Sequence, residues 1–324
     1  MDAAAVHKRK RPEEADPSAG ELDLSAADAV EVLDLRAAKR LLLAFERRLR
    51  DNLEARMKYP DDPARFADSE IALHAETDRL RLLAGAPELF PDLVPIGLAS
   101  SLASLLTHDN VDLAAAAASL LADLTDSEDP SDLAAVQALA DALVDANALD
   151  LLVHNLSRFS ETDPDEAEAV HNTLAVLENL LDLRPNLADK VCGGTKLLRW
   201  LLSRVKAREF DANKQYSDRV KEETERLDSL DLEDLEMDDD ERYNRKLEAG
   251  LYTLQLIALI LGHIWHSGNS QMRARVELLL KQNKLTKQDV KSILEEYHDN
   301  IGDLDGPEEK ERAQVRTKEI IDAL

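Results

Sequence analysis

Residues 96–124 read IGLASSLASLLTHDNVDLAAAAASLLADL and contain two apolar stretches with helical spacing. The first runs from Ile96 to Leu106 and ends at the polar run Thr107-His108-Asp109-Asn110, whose side chains can cap the next helix. The second runs from Val111 to Leu124 and is rich in alanine, the strongest helix former. This part of the chain therefore predicts two helices joined by a short polar turn.

Similar pairs of helices follow farther along the chain, offset by about fifty residues, which is slightly above the length of armadillo and HEAT units. Leu152-Val153 and the stretch 175–180 repeat the pattern, and a third unit begins near Lys196. Each pair has two apolar sides and must stack on its neighbours. We therefore predict an all-α, armadillo/HEAT-like solenoid with an N-terminal helical cap. An irregular helical bundle is the alternative.

The charge of the chain restricts its partners. Hydrophobic residues make up 44% of the 324 residues, so a sizeable core is possible, while the net charge is −26. Such a surface repels phosphate backbones, and we expect no direct binding of nucleic acid. The same field attracts basic proteins and peptides. The alternative is that the excess acidic residues only keep a helical protein soluble.

The N-terminal tail carries a compact cluster of positive charge. Lys8, Arg9, Lys10 and Arg11 are consecutive and precede Pro12 in a polar segment that lacks helical periodicity. The cluster matches the simple pattern of a nuclear-localisation signal, which an import receptor would read. A solvated charge run is the alternative. We therefore predict a nuclear protein whose tail is disordered.

The remaining boundaries follow from changes in composition and periodicity. The run at 228–241 is strongly acidic and indicates a mobile linker or a solvated helix. The most apolar stretch, from Leu251 to Trp265, is too short to cross a membrane, so we expect a buried helix and no membrane partner. The predicted segments are a disordered tail (1–27), an N-terminal cap (28–88), armadillo-like repeats (89–210), an acidic linker (211–242), a C-terminal helical segment (243–301) and a charged tail (302–324).

No motif predicts catalysis, a cofactor or a metal site. Gly193-Gly194 is an isolated pair without the residues of a phosphate-binding loop. His263 and His266 could share a helix face, but no cysteine or carboxylate nearby completes a ligand set. His171 lies one turn from Glu168 without a nucleophile, and we interpret it as a histidine on a helix surface. The prediction is a protein that is not an enzyme.

Many short segments, in the same order along the chain, resemble the beta-catenin-like armadillo family of nuclear splicing proteins. The resemblance extends over most of residues 35–302. The segments that carry it are LEARMKYPDDPARFADSEI (53–71), LLTHDN (105–110), LADLTD (121–126), DALVD (141–145), VHNTLA (170–175), LRWLLSRVK (198–206), FDANK (210–214), KLEAGL (246–251), EEY (295–297) and NIG (300–302).

This resemblance implies a nuclear armadillo solenoid that belongs to the Prp-nineteen-associated splicing complex and binds basic segments of splicing factors. A transport adaptor that reads basic localisation signals is the second hypothesis, but the chain is short for a carrier and its basic tail resembles cargo. The family has several more repeats between the segments that correspond to 210–214 and 246–251. Either this protein has lost them or the gene model skips exons.

The resemblance also implies two candidate residues in a peptide-binding groove. In armadillo proteins that hold extended peptides, an asparagine near the end of the groove-lining helix bonds the peptide backbone. Asn179 occupies that place here, and Asp123 occupies it one repeat earlier, where a carboxylate would attract lysine or arginine. The alternative is that both side chains cap helix ends.

Overall fold

The computed structural model of the protein describes residues 33–126, 129–194, 196–205, 216–229, 239–268, 270–302 and 306–324. Every regular element within these ranges is helical, and they contain no strand. The prediction of an all-α fold is thereby confirmed. The predicted localisation signal, Lys8 to Arg11, lies outside the described residues.

Sixteen α-helices, with short 3-10 turns between the first few, make up the described chain. Their bounds are α1 Leu35–Lys58, α2 Ala67–Arg79, α3 Phe90–Leu93, α4 Leu98–Leu106, α5 Val111–Thr125, α6 Leu133–Asp145, α7 Ala148–Asn155, α8 Pro164–Leu183, α9 Leu187–Gly194, α10 Leu197–Val205, α11 Tyr216–Ser229, α12 Asp239–Lys246, α13 Tyr252–Ser267, α14 Ser270–Gln282, α15 Lys287–Asp299 and α16 Pro307–Ala323.

Polar side chains begin several of these helices by satisfying backbone amides that have no partner within the helix. The Asn110 side chain accepts a hydrogen bond from the Asp112 amide at 2.9 Å, and the Asp163 side chain accepts one from the Asp165 amide at 3.0 Å. Thr286 forms a reciprocal capping box with Asp289. The polar turns seen in the sequence therefore mark helix starts.

The core of the repeats lies where α5 packs against α2, α4 and α8. Alanines at 114, 117 and 118 are fully buried on α5, which lets the neighbouring helices approach closely. Leu174 and Leu177 of α8 are fully buried as well. Stacking of α1 and α2, α4 and α5, and α7 and α8 gives the predicted layered arrangement of helices.

Helix α13 is the centre of the C-terminal part and lies directly against the repeats. Twelve of its sixteen residues are buried. It contacts α8, α9 and α10 on one side and α14, α15 and α16 on the other. The helical stretch Glu241–Ser267, taken across the kink described below, is long and apolar enough to cross a membrane, but 72% of its apolar window is buried inside the protein. It is the core helix that the sequence predicted.

The helical stretch from Glu241 to Ser267 is interrupted. A π-helical segment, Leu247–Leu251, separates α12 from α13, and Gly250 within it has a φ of 120°. This φ falls in the region that side chains with a Cβ disfavour, so glycine permits the kink. Periodicity alone did not reveal the break.

The structure describes helices within two segments, the predicted acidic linker (211–242) and the predicted charged tail (302–324); residues 211–215 and 230–238 of the linker and 303–305 of the tail lie outside the described residues. Within the predicted linker 211–242 the structure has α11 and α12, and Leu227 of α11 is 2% exposed against its neighbours. Within the predicted charged tail 302–324, α16 buries Thr317, Ile320 and Ile321 against α13 and α15. A single apolar stripe is enough to dock a helix whose other faces are charged. The described parts of both segments are therefore helical.

Candidate peptide-binding groove

Two adjoining cavities form a groove along α2, α5 and α8, with volumes of about 390 Å³ and 420 Å³. They share His74, Asp78 and Asp112, so they are parts of one surface, which we call the acidic groove. The remaining residues that line it are Ala67, Glu70, Ile71, Ala75, Arg81, Asn110, Leu113, Ala115, Ala116, Ser119, Asp165, Glu166, Glu168, Ala169 and Asn172.

Carboxylates dominate the lining of this groove. It contains six acidic side chains and a single arginine. In the parts of the chain that the structure describes, Asp112, Asp165 and Glu168 form no ion pair, and all three are exposed. These carboxylates are therefore available to a cation from outside. Composition predicted an acidic surface, but these residues come from separate helices and the sequence did not single them out.

Ile71 gives one end of the groove an apolar surface. Its side chain is 70% exposed and lies beside Ala67, Ala75 and Leu113. An exposed isoleucine next to unpaired carboxylates suits a ligand that carries both positive charge and an apolar side chain. An extended or helical segment rich in lysine and arginine has this chemistry.

Asp123, one of the two predicted groove residues, already forms an ion pair within the protein. The Arg81 guanidinium forms an ion pair with the Asp123 carboxylate and also donates to Ser119 Oγ at 2.8 Å. Arg81 and Ser119 line the groove, so Asp123 lies at its edge, about one helical turn beyond Ser119. A basic ligand would have to compete with Arg81 for this carboxylate.

Asn179, the other predicted residue, joins two helices. Its side-chain amide donates to Thr125 Oγ1 at 3.1 Å and lies 3.5 Å from the carbonyl of Ala122, so it links α8 to α5. Neither Asp123 nor Asn179 provides the side-chain cap of a helix that the structure describes. The groove role of both residues stays a prediction, and the structure gives each of them an internal partner.

A buried polar cluster fixes the C-terminal helices against the repeats. His263 Nε2 of α13 lies 3.0 Å from Glu178 Oε1 of α8, and both side chains are about one-tenth exposed. Arg316 of α16 forms an ion pair with Asp182 of α8 at 2.6 Å. Burial raises the pKa of Glu178, but the hydrogen bond and charge of His263, together with Arg316, outweigh burial and lower it. We call this contact between α8 and α13–α16 the junction.

His171 belongs to the same junction and not to the helix surface where the sequence placed it. Its ring stacks on Tyr252 of α13 with centroids 3.9 Å apart. Burial lowers the pKa of His171 to about 4, because the charged imidazolium would lose its hydration. The side chain is therefore neutral near pH 7 and packs as an aromatic ring.

His263, considered above as half of a histidine pair, is engaged by Glu178 instead. Among the described residues, no group of three or more histidine, cysteine, aspartate or glutamate side chains could hold a metal ion. The sequence signal for the junction was a histidine in an otherwise apolar helix, which needs a polar partner from another element when it is buried.

Two parts of the chain match one family model. Residues 21–220 and residues 217–295 match the family described as "Catenin-beta-like, Arm-motif containing nuclear". The two matched ranges meet within α11, in the same region as the predicted discontinuity between 214 and 246. The resemblance stated from short segments is confirmed by this match.

Curated relatives give the same result over more than half of the chain. The chain is 41% identical to human "Beta-catenin-like protein 1" over 191 residues, which is 58% of this chain and 34% of the relative. It is 40% identical to the rat protein of that name over 190 residues, with the same coverage. It is 32% identical to the "Beta-catenin-like protein 1 homolog" of Schizosaccharomyces pombe over 181 residues, 55% of this chain and 32% of the relative. These alignments span about a third of the length of each relative.

Proposed function

The chain belongs to the catenin-beta-like, Arm-motif containing nuclear family, and on that premise we propose that it is a non-enzymatic scaffold of the pre-mRNA splicing machinery. In this role it holds basic segments of partner proteins in the acidic groove. The observation that carries the proposal is the set of exposed, unpaired carboxylates on α5 and α8. The family's nuclear location places the protein where splicing factors are found.

The physical basis of recognition is charge complementarity together with one apolar contact. Each charge-assisted hydrogen bond to a groove carboxylate stabilises the complex by about 1–3 kcal/mol if partly desolvated, and by less if exposed. Because these carboxylates are exposed, salt should weaken binding as the Debye length falls from ~10 Å at 0.1 M to ~3 Å at 1 M. The internal pairs of Asp123 and Asn179 favour Asp112, Asp165 and Glu168 as the first contacts.

The groove is tested by titrating a fluorescent lysine/arginine-rich peptide against the full chain at several salt concentrations. We expect the affinity to fall as salt rises. A control peptide in which glutamine replaces every lysine and arginine should bind more weakly. Salt-independent binding, or equal binding of the glutamine peptide, would remove the electrostatic groove from consideration.

The assignment to splicing is tested by affinity purification of the tagged chain from nuclear extract. Recovery of splicing factors carrying basic segments supports the proposal. Recovery of transport receptors with mixed cargo would support the second hypothesis of a transport adaptor instead. Replacing Lys8, Arg9, Lys10 and Arg11 with alanine should leave a fluorescent fusion mainly outside the nucleus if the tail is the import signal.

A further inference from the structure

One segment of this acidic chain has the opposite charge. Residues 272–291, which form α14, the following turn and the start of α15, contain six lysines and arginines and only two acidic residues. The whole chain has a net charge of −26. A local excess of cations in such a chain concentrates positive potential at one place on the surface.

Three of these lysines surround a cavity of about 460 Å³ that we call the basic cleft. Lys281, Lys287 and Lys291 contribute to its lining, whereas Glu277 is the single carboxylate side chain there. Leu280 and Leu285, at 3% and 5% exposure, lie beneath them. The cleft therefore has an apolar floor and a cationic rim.

The fold holds two of the ammonium groups in place. Lys287 Nζ lies 4.5 Å above the ring of Trp265, and Lys291 Nζ donates to the carbonyl of Ile321 at 3.1 Å. An ammonium group has three donors, so each retains hydrogen-bonding capacity for a ligand. In the described part of the chain, no carboxylate forms an ion pair with Lys281, Lys287 or Lys291. Fixed cations lose little conformational freedom when a ligand binds.

The turn that forms one wall of the cleft is also fixed. Thr286 N and Oγ1 both donate to Asp289 Oδ2, at 2.7 Å and 2.8 Å. This capping box uses Asp289, one of the two acidic residues of the segment, so the Asp289 carboxylate lies at the N-terminus of α15. The cleft is therefore preformed between two ordered helices.

From this arrangement we propose that the basic cleft binds an acidic protein segment that inserts an apolar side chain between the lysines. Carboxylates of the segment would accept hydrogen bonds from the ammonium groups, and a leucine or methionine would contact Leu280 and Leu285. The surface is separate from the acidic groove and selects partners of the opposite charge.

The same observations argue for a protein ligand over a nucleic acid. The residues that line the described cleft include no aromatic ring on which a base could stack, since Trp265 is 6% exposed and lies under Lys287. The field of a chain with a charge of −26 also opposes the approach of a long phosphate backbone. A short acidic segment carries fewer charges and supplies the apolar side chain that the floor accepts.

The test is a titration of a labelled peptide, Asp-Glu-Asp-Leu-Asp-Glu-Glu, against the full chain at low salt. We expect saturable binding that weakens on the order of tenfold when the peptide leucine is replaced by alanine, because the apolar contact is lost. Lys281→Glu with Lys287→Glu should weaken binding by at least as much. Arg275→Glu is the matched control, since Arg275 is exposed on α14 outside the cleft lining and should change binding less than threefold.

Melting curves and titration of the basic peptide show whether the cleft variant is folded and whether its acidic groove still binds. The cleft variant should melt like the parent and bind the lysine/arginine-rich peptide at least as well, so failure here and failure of the groove proposal are distinguishable. Absence of saturable binding, equal binding of the leucine and alanine peptides, or an equal effect of Arg275→Glu would overturn the proposal. Tighter binding of an oligouridylate than of the acidic peptide would overturn it in favour of a nucleic-acid site.

Discussion

The acidic groove and the basic cleft differ in charge and also in how the chain builds them. The groove takes its carboxylates from three helices that are far apart in sequence, and its key side chains are exposed and unpaired. The cleft takes its lysines from one continuous segment, and Trp265 and the Ile321 carbonyl fix two of them. A site assembled across a solenoid relies on the stacking of its helices, whereas a local site relies on a capped turn.

The two regions are connected through the junction, because α8 contributes to the groove and α13 supports the cleft. Glu178, Asp182 and His171 of α8 all contact the C-terminal helices. Weakening the contacts between α8 and the C-terminal helices would therefore show whether the groove and the cleft form independently of each other. Substitutions at the junction should have the largest effects, because its polar side chains are buried.

Replacing Glu178 with alanine should destabilise the protein most. The substitution leaves His263 buried without its partner, and breaking a buried pair costs about 3–5 kcal/mol. Urea unfolding followed by circular dichroism at pH 7 measures the effect. Glu168→Ala on the same helix is the control, because an exposed substitution should stay within about 0.5 kcal/mol. Equal stability of the two variants would show that the buried pair does not hold the junction.

A similar test applies to the close approach of α13 and α16. A Cβ on Gly262 would clash with Ile320 Cγ2, so Gly262→Ala requires a shift between the helices. We expect a loss of about 1–3 kcal/mol, as for overpacking of a core. Adding Ile320→Ala should recover part of that loss, since the clashing atom is removed. Additive effects in a double-mutant cycle would contradict the packing of α16 on α13.

Stability should fall as the pH is lowered, in part through His171. The pKa of His171 is about 4 in the folded protein and about 6.5 in the unfolded chain, so below pH 6.5 the unfolded state binds more protons. This difference removes about 2 kcal/mol of stability between pH 6.5 and 5. His171→Phe keeps an aromatic ring on Tyr252 and should flatten that slope. Denaturant titrations at pH 7, 6 and 5 provide the comparison.

The lowered pKa values of two other groups, His108 and Glu178, also make the protein less stable as the pH falls. Burial and the charge of Arg56 lower the pKa of His108, so a weaker slope should remain in the His171 variant. The pKa of Glu178 is lowered from about 4.5, so its contribution is present above that pH and is lost in more acidic solution. An unchanged slope in His171→Phe would show that His171 binds protons equally in the folded and unfolded states, so that burial does not lower its pKa.

The helical architecture was predictable from sequence because apolar spacing and turn residues mark most helices directly. The start of α5 at Val111 was predicted from the polar run that precedes it, and the helix itself from apolar spacing and its many alanines. Helix α16 lies in the segment predicted only as a charged tail, since Thr317, Ile320 and Ile321 form a short stripe among charged residues. The kink at Gly250 was missed because glycine can occur in a helix and its φ is set by packing.

The functional surfaces were less predictable, because they depend on contacts between distant segments. Nothing local connects Asp78, Asp112 and Glu168, although the net charge indicated an acidic surface of this kind. His171 was interpreted as exposed because its partner, Tyr252, lies some eighty residues farther along the chain. The family resemblance suggested Asp123 and Asn179 as groove residues. It could not indicate that Asp123 pairs with Arg81 or that Asn179 bonds to Thr125.

Reversing charge in the acidic groove should selectively weaken the binding of basic peptides. Asp112→Lys with Glu168→Lys removes two unpaired carboxylates and adds two cations, so we expect a loss on the order of tenfold to a hundredfold near 0.1 M salt. Asp145→Lys with Asp150→Lys, both exposed and outside the groove lining, changes the net charge by the same amount and is the control. The acidic peptide should bind the groove variant as it binds the parent. Parallel loss of both peptides would mean that the two surfaces are not separate.

The smallest expected effect is a gain in affinity on removing Arg81. In the parent, the Arg81 guanidinium neutralises Asp123 and donates to Ser119 at the edge of the groove. Arg81→Ala frees the carboxylate and removes the single cationic arginine of the lining, so a basic peptide should bind about two- to fivefold more tightly. Adding Asp123→Asn should cancel that gain if the freed carboxylate is its source.

The same peptide titration measures both variants, and Arg79→Ala, an exposed arginine two residues away, is the control. If Arg81→Ala and Arg79→Ala raise the affinity equally, the gain reflects net charge alone, and Asp123 is not part of the groove.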